Sequence, residues 1–162
     1  MTGGQKKQNR KTLKNRRIGY PLYNTDFELY RNCNVDIYWL MDEKTQYPKF
    51  WLEGHSNNLT HCASIYGCQG FETEYAGIVW GRDLVWRDGV WSLGDNCEDS
   101  VAGLKDLFYR GKRGDLESAN LAIKLLKNRY RILLTRGIRG TYIFCENPET
   151  ASYLRKLLGG AV

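Results

Sequence analysis

Ser64 to Gly81 reads SIYGCQGFETEYAGIVWG, and Asn128 to Gly140 reads NRYRILLTRGIRG. In the first stretch an apolar run, Ala63 to Tyr66, breaks at Gly67 and passes through Gln69-Gly70. It returns at Tyr75 to Trp80 as a second apolar run of β-branched and aromatic residues. That order predicts strand, turn, strand. Gly70 supplies a residue free to take positive φ or to let a ligand approach the backbone, and Gln69 and Glu72 flank it with an amide and a carboxylate. In the second stretch Arg129, Arg131, Arg136 and Arg139 punctuate an apolar run in which Leu133 and Leu134 continue the helical spacing of Leu125 and Leu126. The last turn of that helix carries arginine into a loop ending at Gly137.

Working outward, Val35 to Leu40 reads as a strand, followed by a loop from Met41 to about Thr60. Leu84 to Arg87 and Val90 to Ser92 flank Asp88-Gly89, a strong hairpin signal because both turn residues tolerate positive φ. A short helix is expected near Val101 to Tyr109. Asp115 is placed to cap a helix running to about Arg136, with Leu121, Leu125, Ile132 and Leu133 on one face and Gly137 closing it in a left-handed turn. Thr141 to Cys145 reads as a buried strand, and Asn147-Pro148 opens a last helix through about Leu158. Strands alternating with helices predict an α/β fold, a mostly parallel sheet flanked by helices with a β-hairpin inserted.

The order S-x-Y-x-x-Q-G-x-E before an apolar strand is similar to the fifth motif of superfamily one helicases, and Y-R-I-L-L-T-R-G resembles their sixth. CQGFETEYAGIVWGRDLV, Cys68 to Val85, and LLTRGIRGTYIF, Leu133 to Phe144, most resemble the Schlafen group 3 type DNA/RNA helicase domain. The resemblance covers roughly Asn34 to Leu158 and is carried by those two blocks. It implies a RecA-like second lobe of a P-loop NTPase, acting on DNA or RNA with ATP and Mg. By the same resemblance Arg136 is the arginine finger and Arg139 a second phosphate-facing cation. Gln69, Gly70 and Glu72 would sit near the nucleotide, and Ser64 and Tyr66 near the nucleic acid, with Tyr66 standing where the helicase pattern has histidine.

Such ATPases hold the triphosphate in a Gly-rich loop ending G-K-S/T, and no G-x-x-x-x-G-K-[ST] occurs here. Gly111-Lys112-Arg113-Gly114 lacks the earlier glycine, the hydroxyl and a preceding strand. The expectation is therefore a C-terminal lobe, over residues 34–160, that is inactive until a Walker-bearing lobe joins it in cis or in trans. The alternative is a non-enzymatic nucleic-acid-binding module or remnant of such an ATPase. A nuclease reading finds no support, because Glu72 and Glu74 have no partnered histidine or metal motif.

Charge and composition bound the partners. The net charge is +6, and Lys6, Lys7, Arg10, Lys11, Lys14, Arg16 and Arg17 put seven positive charges and no negative one in the first 17 residues. Taking those seven from the 24 basic residues leaves 17 against 18 acidic ones, so the body is nearly neutral. Residues 1–20 read as a flexible basic arm, in which Lys11, Lys14, Arg16 and Arg17 are candidates for phosphate contacts. Trp86 and Trp91 on the hairpin are candidates for base stacking, whereas Trp80 in an apolar strand reads as core. No metal site is expected: His55, His61, Cys62 and Cys68 fit no closed zinc spacing. Five cysteines without C-x-x-C spacing point to reduced thiols and a cytoplasmic location. No apolar run reaches the roughly 18 residues that a membrane helix needs.

Overall fold

The structure, a computed structural model, describes residues 38–39, 51–54, 57, 61–97 and 99–159. The chain divides into two compact units, Met1–Gln69 and Gly70–Val162. In the first, β1 (Tyr38–Trp39) pairs in parallel with β2 (His61–Cys62). The strand expected over Val35 to Leu40 thus has its described part in β1, and its remaining residues lie outside the described ones. The second unit holds β3 (Thr73–Trp80), β4 (Leu84–Arg87) and β5 (Val90–Leu93). A 3-10 turn (Val101–Gly103) then leads into α2 (Leu104–Lys112), followed by α3 (Leu116–Leu134), β6 (Gly137–Cys145) and α4 (Pro148–Leu157). The fold is α/β: β3 and β6 pair in parallel, β4 and β5 form the antiparallel hairpin, and helices flank them.

One expected strand is a helix. Ile65–Cys68 forms the short helix α1, and Ser64 caps it by accepting a hydrogen bond from the Gly67 amide at 3.4 Å. A cap made by a side chain next in sequence outweighs the β preference of the short apolar run Ala63 to Tyr66. The Trp51 indole donates to the Gly67 carbonyl at 2.9 Å within the same unit.

The remaining elements start and stop where their local chemistry directs. Asp88 and Gly89 take φ of 51° and 80°, so the hairpin turns on the two residues that favour that region. Asp115 caps α3 by accepting from the Ser118 amide and hydroxyl, and Asn147 caps α4 by accepting from the Thr150 amide and hydroxyl. The Ser118 amide and hydroxyl, with Arg110, hold the Asp115 carboxyl down to about 2. α3 ends at Leu134, two residues short of the expected limit.

Buried positions on α3 are Ser118, Ala122, Leu126 and Tyr130, a four-residue spacing that makes one stripe. The face expected from Leu121, Leu125, Ile132 and Leu133 is rotated from it, and Leu121 is exposed. The stripe turns because α2 packs so closely: a Cβ on Gly111 would stand 2.7 Å from the Ala119 Cα. Small residues at positions 118, 119 and 122 therefore face the neighbour, and Leu121 faces solvent. Leu104, Phe108, Leu84, Leu93 and Trp80 complete the core, and full burial of a side chain the size of Phe108 contributes about 1.5–3 kcal/mol.

Candidate functional site

α3 delivers Arg136 to the start of β3. As the helix ends, the Arg136 Nε donates to the Ile132 carbonyl at 3.0 Å, one terminal nitrogen donates to the Phe71 carbonyl at 3.1 Å, and the other to the Thr135 hydroxyl at 3.2 Å. The Arg136 carbonyl in turn accepts from the Thr73 amide at 2.9 Å. The T-R-G corner and the Gly70–Thr73 segment are thereby tied at two points. A cation over the last carbonyls also complements the helix dipole. Each terminal guanidinium nitrogen keeps one N–H uncommitted and able to meet an anion.

Gly70 sits in the tied segment with φ +82°, and among the described residues nothing lies within 4 Å of where a Cβ would stand. The positive φ follows the sequence reading, and the open side leaves the backbone accessible. Glu72 is exposed beside it. Ser64, Tyr66 and Gln69 belong to the first unit. There Ser64 is the helix cap, Tyr66 is exposed on α1, and Gln69 ends it.

Gly137 has a different role from the left-handed cap expected of it. It opens β6, where β6 carries one residue more than β3 between the pairs Thr73↔Gly137 and Tyr75↔Gly140. At this bulge a Cβ on Gly137 would lie 2.1 Å from the Gly140 carbonyl oxygen, so only glycine fits. The bulge places Arg139 on the surface, 3.7 Å from Glu74, with the two side chains 64% and 69% exposed. Of the arginines, Arg136 is held by backbone and Arg139 is held weakly by one solvated carboxylate.

Trp86 and Trp91 lie on the hairpin and pack within the protein. Trp86 stacks on Tyr153 of α4 at 3.7 Å between centroids and 9° between planes, and Trp91 stacks on Trp80 at 5.3 Å. Trp80 is 4% exposed, the core residue the sequence indicated, and stacks on Tyr130 at 3.8 Å and 5°. Both hairpin indoles are partly buried, so a base would meet their edges or remaining faces. Lys11, Lys14, Arg16 and Arg17 lie outside the described residues.

A polar group that the motifs did not flag gathers where β3 and β6 end. Tyr130 donates to the Asp83 carboxylate at 2.6 Å and accepts from the Gly81 amide at 3.0 Å. Glu146, 7% exposed, lies beside them. In sequence the only signal is a carboxylate soon after each apolar strand, W-G-R-D and C-E-N. Close by, Arg129 pairs with Asp99 at 2.6 Å and fastens α3 to the loop after the hairpin. Among the described residues no group of three or more His, Cys, Asp or Glu is placed to hold a metal ion, and no helix is long and apolar enough to cross a membrane.

A parallel strand pair whose entry is tied to a T-R-G corner is the framework on which both sequence blocks meet. Residues 2–147 match the family described as Schlafen group 3, DNA/RNA helicase domain, and the chain belongs to that family. Among individual proteins it is similar to the uncharacterized protein YPL245W of Saccharomyces cerevisiae, 29% identical over 105 residues. That alignment covers 61% of this chain and 21% of the yeast protein, so the chain spans a minor part of its relative's length. No solved structure matches the chain significantly.

Proposed function

We propose that the chain acts as the RecA-like C-terminal lobe of a nucleic-acid-dependent, helicase-like ATPase, completed by a Walker-bearing lobe in cis or in trans. The observation that carries this reading is the tie between Arg136 and the Gly70–Thr73 segment, which joins the two motif blocks at one end of β3. The groups there suit one side of a nucleotide. Gly70 offers an open backbone, and Arg136 offers one free N–H on each terminal nitrogen, with Arg139 on the surface nearby in sequence. ATP with Mg supplies the phosphoanhydride to be cleaved and neutralises part of its charge.

In this reading Arg136 offsets charge developing on the transferred phosphoryl group. Because the same guanidinium holds the Phe71 carbonyl, a phosphate drawing it away changes the tension on the loop bearing Gly70 and Glu72. Nucleotide state is thereby transmitted along β3. Gln69 and Glu72 serve as nucleotide-side polar groups, and Ser64, Tyr66, Trp86, Trp91 and the arm residues Lys11, Lys14, Arg16 and Arg17 serve nucleic acid.

The test is ATP turnover by the purified chain alone and joined to a Walker-bearing lobe. The expected result is no turnover alone, turnover in the joined protein, and its loss in Arg136→Ala. Robust Mg-dependent turnover by the chain alone, abolished by Arg136→Ala, would sink the requirement for a second lobe. The three intramolecular bonds of Arg136 favour one other reading, a binding module in which this arginine is purely structural. That reading is upheld if the joined protein shows no ATP turnover while the chain binds nucleic acid, and Arg136→Ala lowers the urea midpoint without weakening that binding.

A further inference from the structure

At the end of β3 and β6 opposite Arg136, the carboxylates of half-buried Asp83 and buried Glu146 gather with the Tyr130 hydroxyl around one glycine. The last rung between the strands is the Glu146 amide donating to the Trp80 carbonyl at 3.0 Å, so Glu146 sits where the ladder closes. Around the adjacent Gly81, the point where a Cβ would stand is 3.6 Å from the Tyr130 hydroxyl, 3.7 Å from an Asp83 carboxylate oxygen and 3.9 Å from Glu146 Oε2. Three oxygens from three separate segments thus face one glycine.

Their hydrogen bonding is unequal. Asp83 Oδ1 accepts from the Tyr130 hydroxyl at 2.6 Å and from the Leu84 amide at 2.9 Å. Glu146 Oε1 is buried and has no hydrogen-bond partner among the described residues. A buried carboxylate oxygen without a donor carries a large desolvation cost, which a proton on that carboxyl lowers. Donors therefore favour the charged form of Asp83, whereas for Glu146 the Arg82 charge is what opposes the effect of burial.

We propose that Glu146 and Asp83 form a single proton-holding site, with the proton on Glu146, that makes closure of the β3 and β6 ends against α3 dependent on pH. The charged and titratable groups facing it are Arg82 beside Asp83, Tyr130 and Arg129 from α3, Cys145 from β6, and Cys97 and Asp99 from the loop after β5. Arg82 opposes the proton and Asp83 favours it, while the Arg129 guanidinium is paired with Asp99 at 2.6 Å. Burial, the largest influence, pushes the Glu146 carboxyl from 4.5 up to about 7, and burial also raises Asp83.

The sign follows from linkage. A carboxyl whose folded value is raised contributes stability that is complete below its ordinary value and is lost as pH rises through the folded value. For Glu146 that window runs from about 4.5 to about 7. Above it, both carboxylates beside Gly81 are charged, and the contacts of Tyr130 with Gly81 and Asp83 are the ones expected to loosen. Tyr130 on α3 and Arg136 just past the end of α3 touch opposite ends of β3, so this loosening changes how that strand is gripped.

The test uses the full chain and two readouts: the urea midpoint across the window, and the titration of the Glu146 side-chain carboxyl by carbon NMR. The expected result is a Glu146 titration near 7, a wild-type midpoint that falls across the window, and a flatter curve for Glu146→Gln that lies above wild type at the alkaline end. Asp83→Asn, which keeps an acceptor for Tyr130, should shift the Glu146 titration downward, an effect that a merely structural Asp83 would not produce. Parallel midpoint curves for wild type and Glu146→Gln, or a Glu146 titration near the ordinary value, overturn the proposal. A midpoint that rises with added Mg²⁺ in wild type but not in Glu146→Gln overturns it too, since the site would then hold a cation.

Discussion

Arg136 and Arg139 are three residues apart and differ in what holds them, which separates their effects on stability from their effects on binding. Arg136→Ala removes three hydrogen bonds to groups of the protein itself. With typical net contributions and partial exposure, the expected loss is about 1–2 kcal/mol, read from the urea midpoint. Arg139→Ala removes only a long, solvated ion pair and should stay within ~0.5 kcal/mol of wild type. Equal destabilisation by the two would show that the Phe71 tie does not exist in solution. Gly70 was legible from sequence because a positive φ is a property of one residue in a turn. Gly137 was legible as a glycine but not as a strand residue, because the atom it avoids belongs to Gly140 and approaches only when β6 bulges against β3.

Among the elements, those defined by neighbouring residues were readable. Asp88-Gly89 fixes the hairpin, Asp115 and Asn147 fix the starts of α3 and α4, and each needs only a few adjacent groups. The exception, α1, was obscured because Ser64 can precede a strand as readily as cap a helix. Packing between elements was less accessible, since the buried stripe of α3 depends on how closely Gly111 lets α2 approach. The hairpin's seat on α4 also depends on such a contact. Fully buried Thr150 accepts from the Trp86 amide at 2.8 Å while donating to Asn147. Thr150→Val keeps the volume but leaves that amide without its acceptor. The expected cost is about 1–3 kcal/mol, measured as a lower urea midpoint. An unchanged midpoint would mean that the hairpin does not depend on this seat.

At the scale of the whole molecule, the pairing of β3 with β6 brings together two segments that local chemistry leaves far apart. The sequence reading reached only the coarser expectation of a mostly parallel sheet, from strands alternating with helices. The Asp83, Tyr130 and Glu146 cluster was invisible for the same reason, since its members meet only after that pairing. The charge asymmetry is a whole-chain property and was legible at once. It leads to the expectation that single-stranded nucleic acid binds in a salt-sensitive manner, with the slope of log affinity against log salt reduced when residues 1–17 are removed. A slope unaffected by that truncation would move nucleic-acid binding to the body of the lobe.

The rings of Trp80, Trp91 and Trp86, bracketed by Tyr130 and Tyr153, have an optical consequence. Indoles and phenols at these separations couple their transitions, so the folded chain should show strong near-ultraviolet dichroism that vanishes when the hairpin lifts away. Three of the five tryptophans belong to that array. The protein therefore carries its own chromophore for watching β3, the hairpin and the last helix come apart, with no label attached.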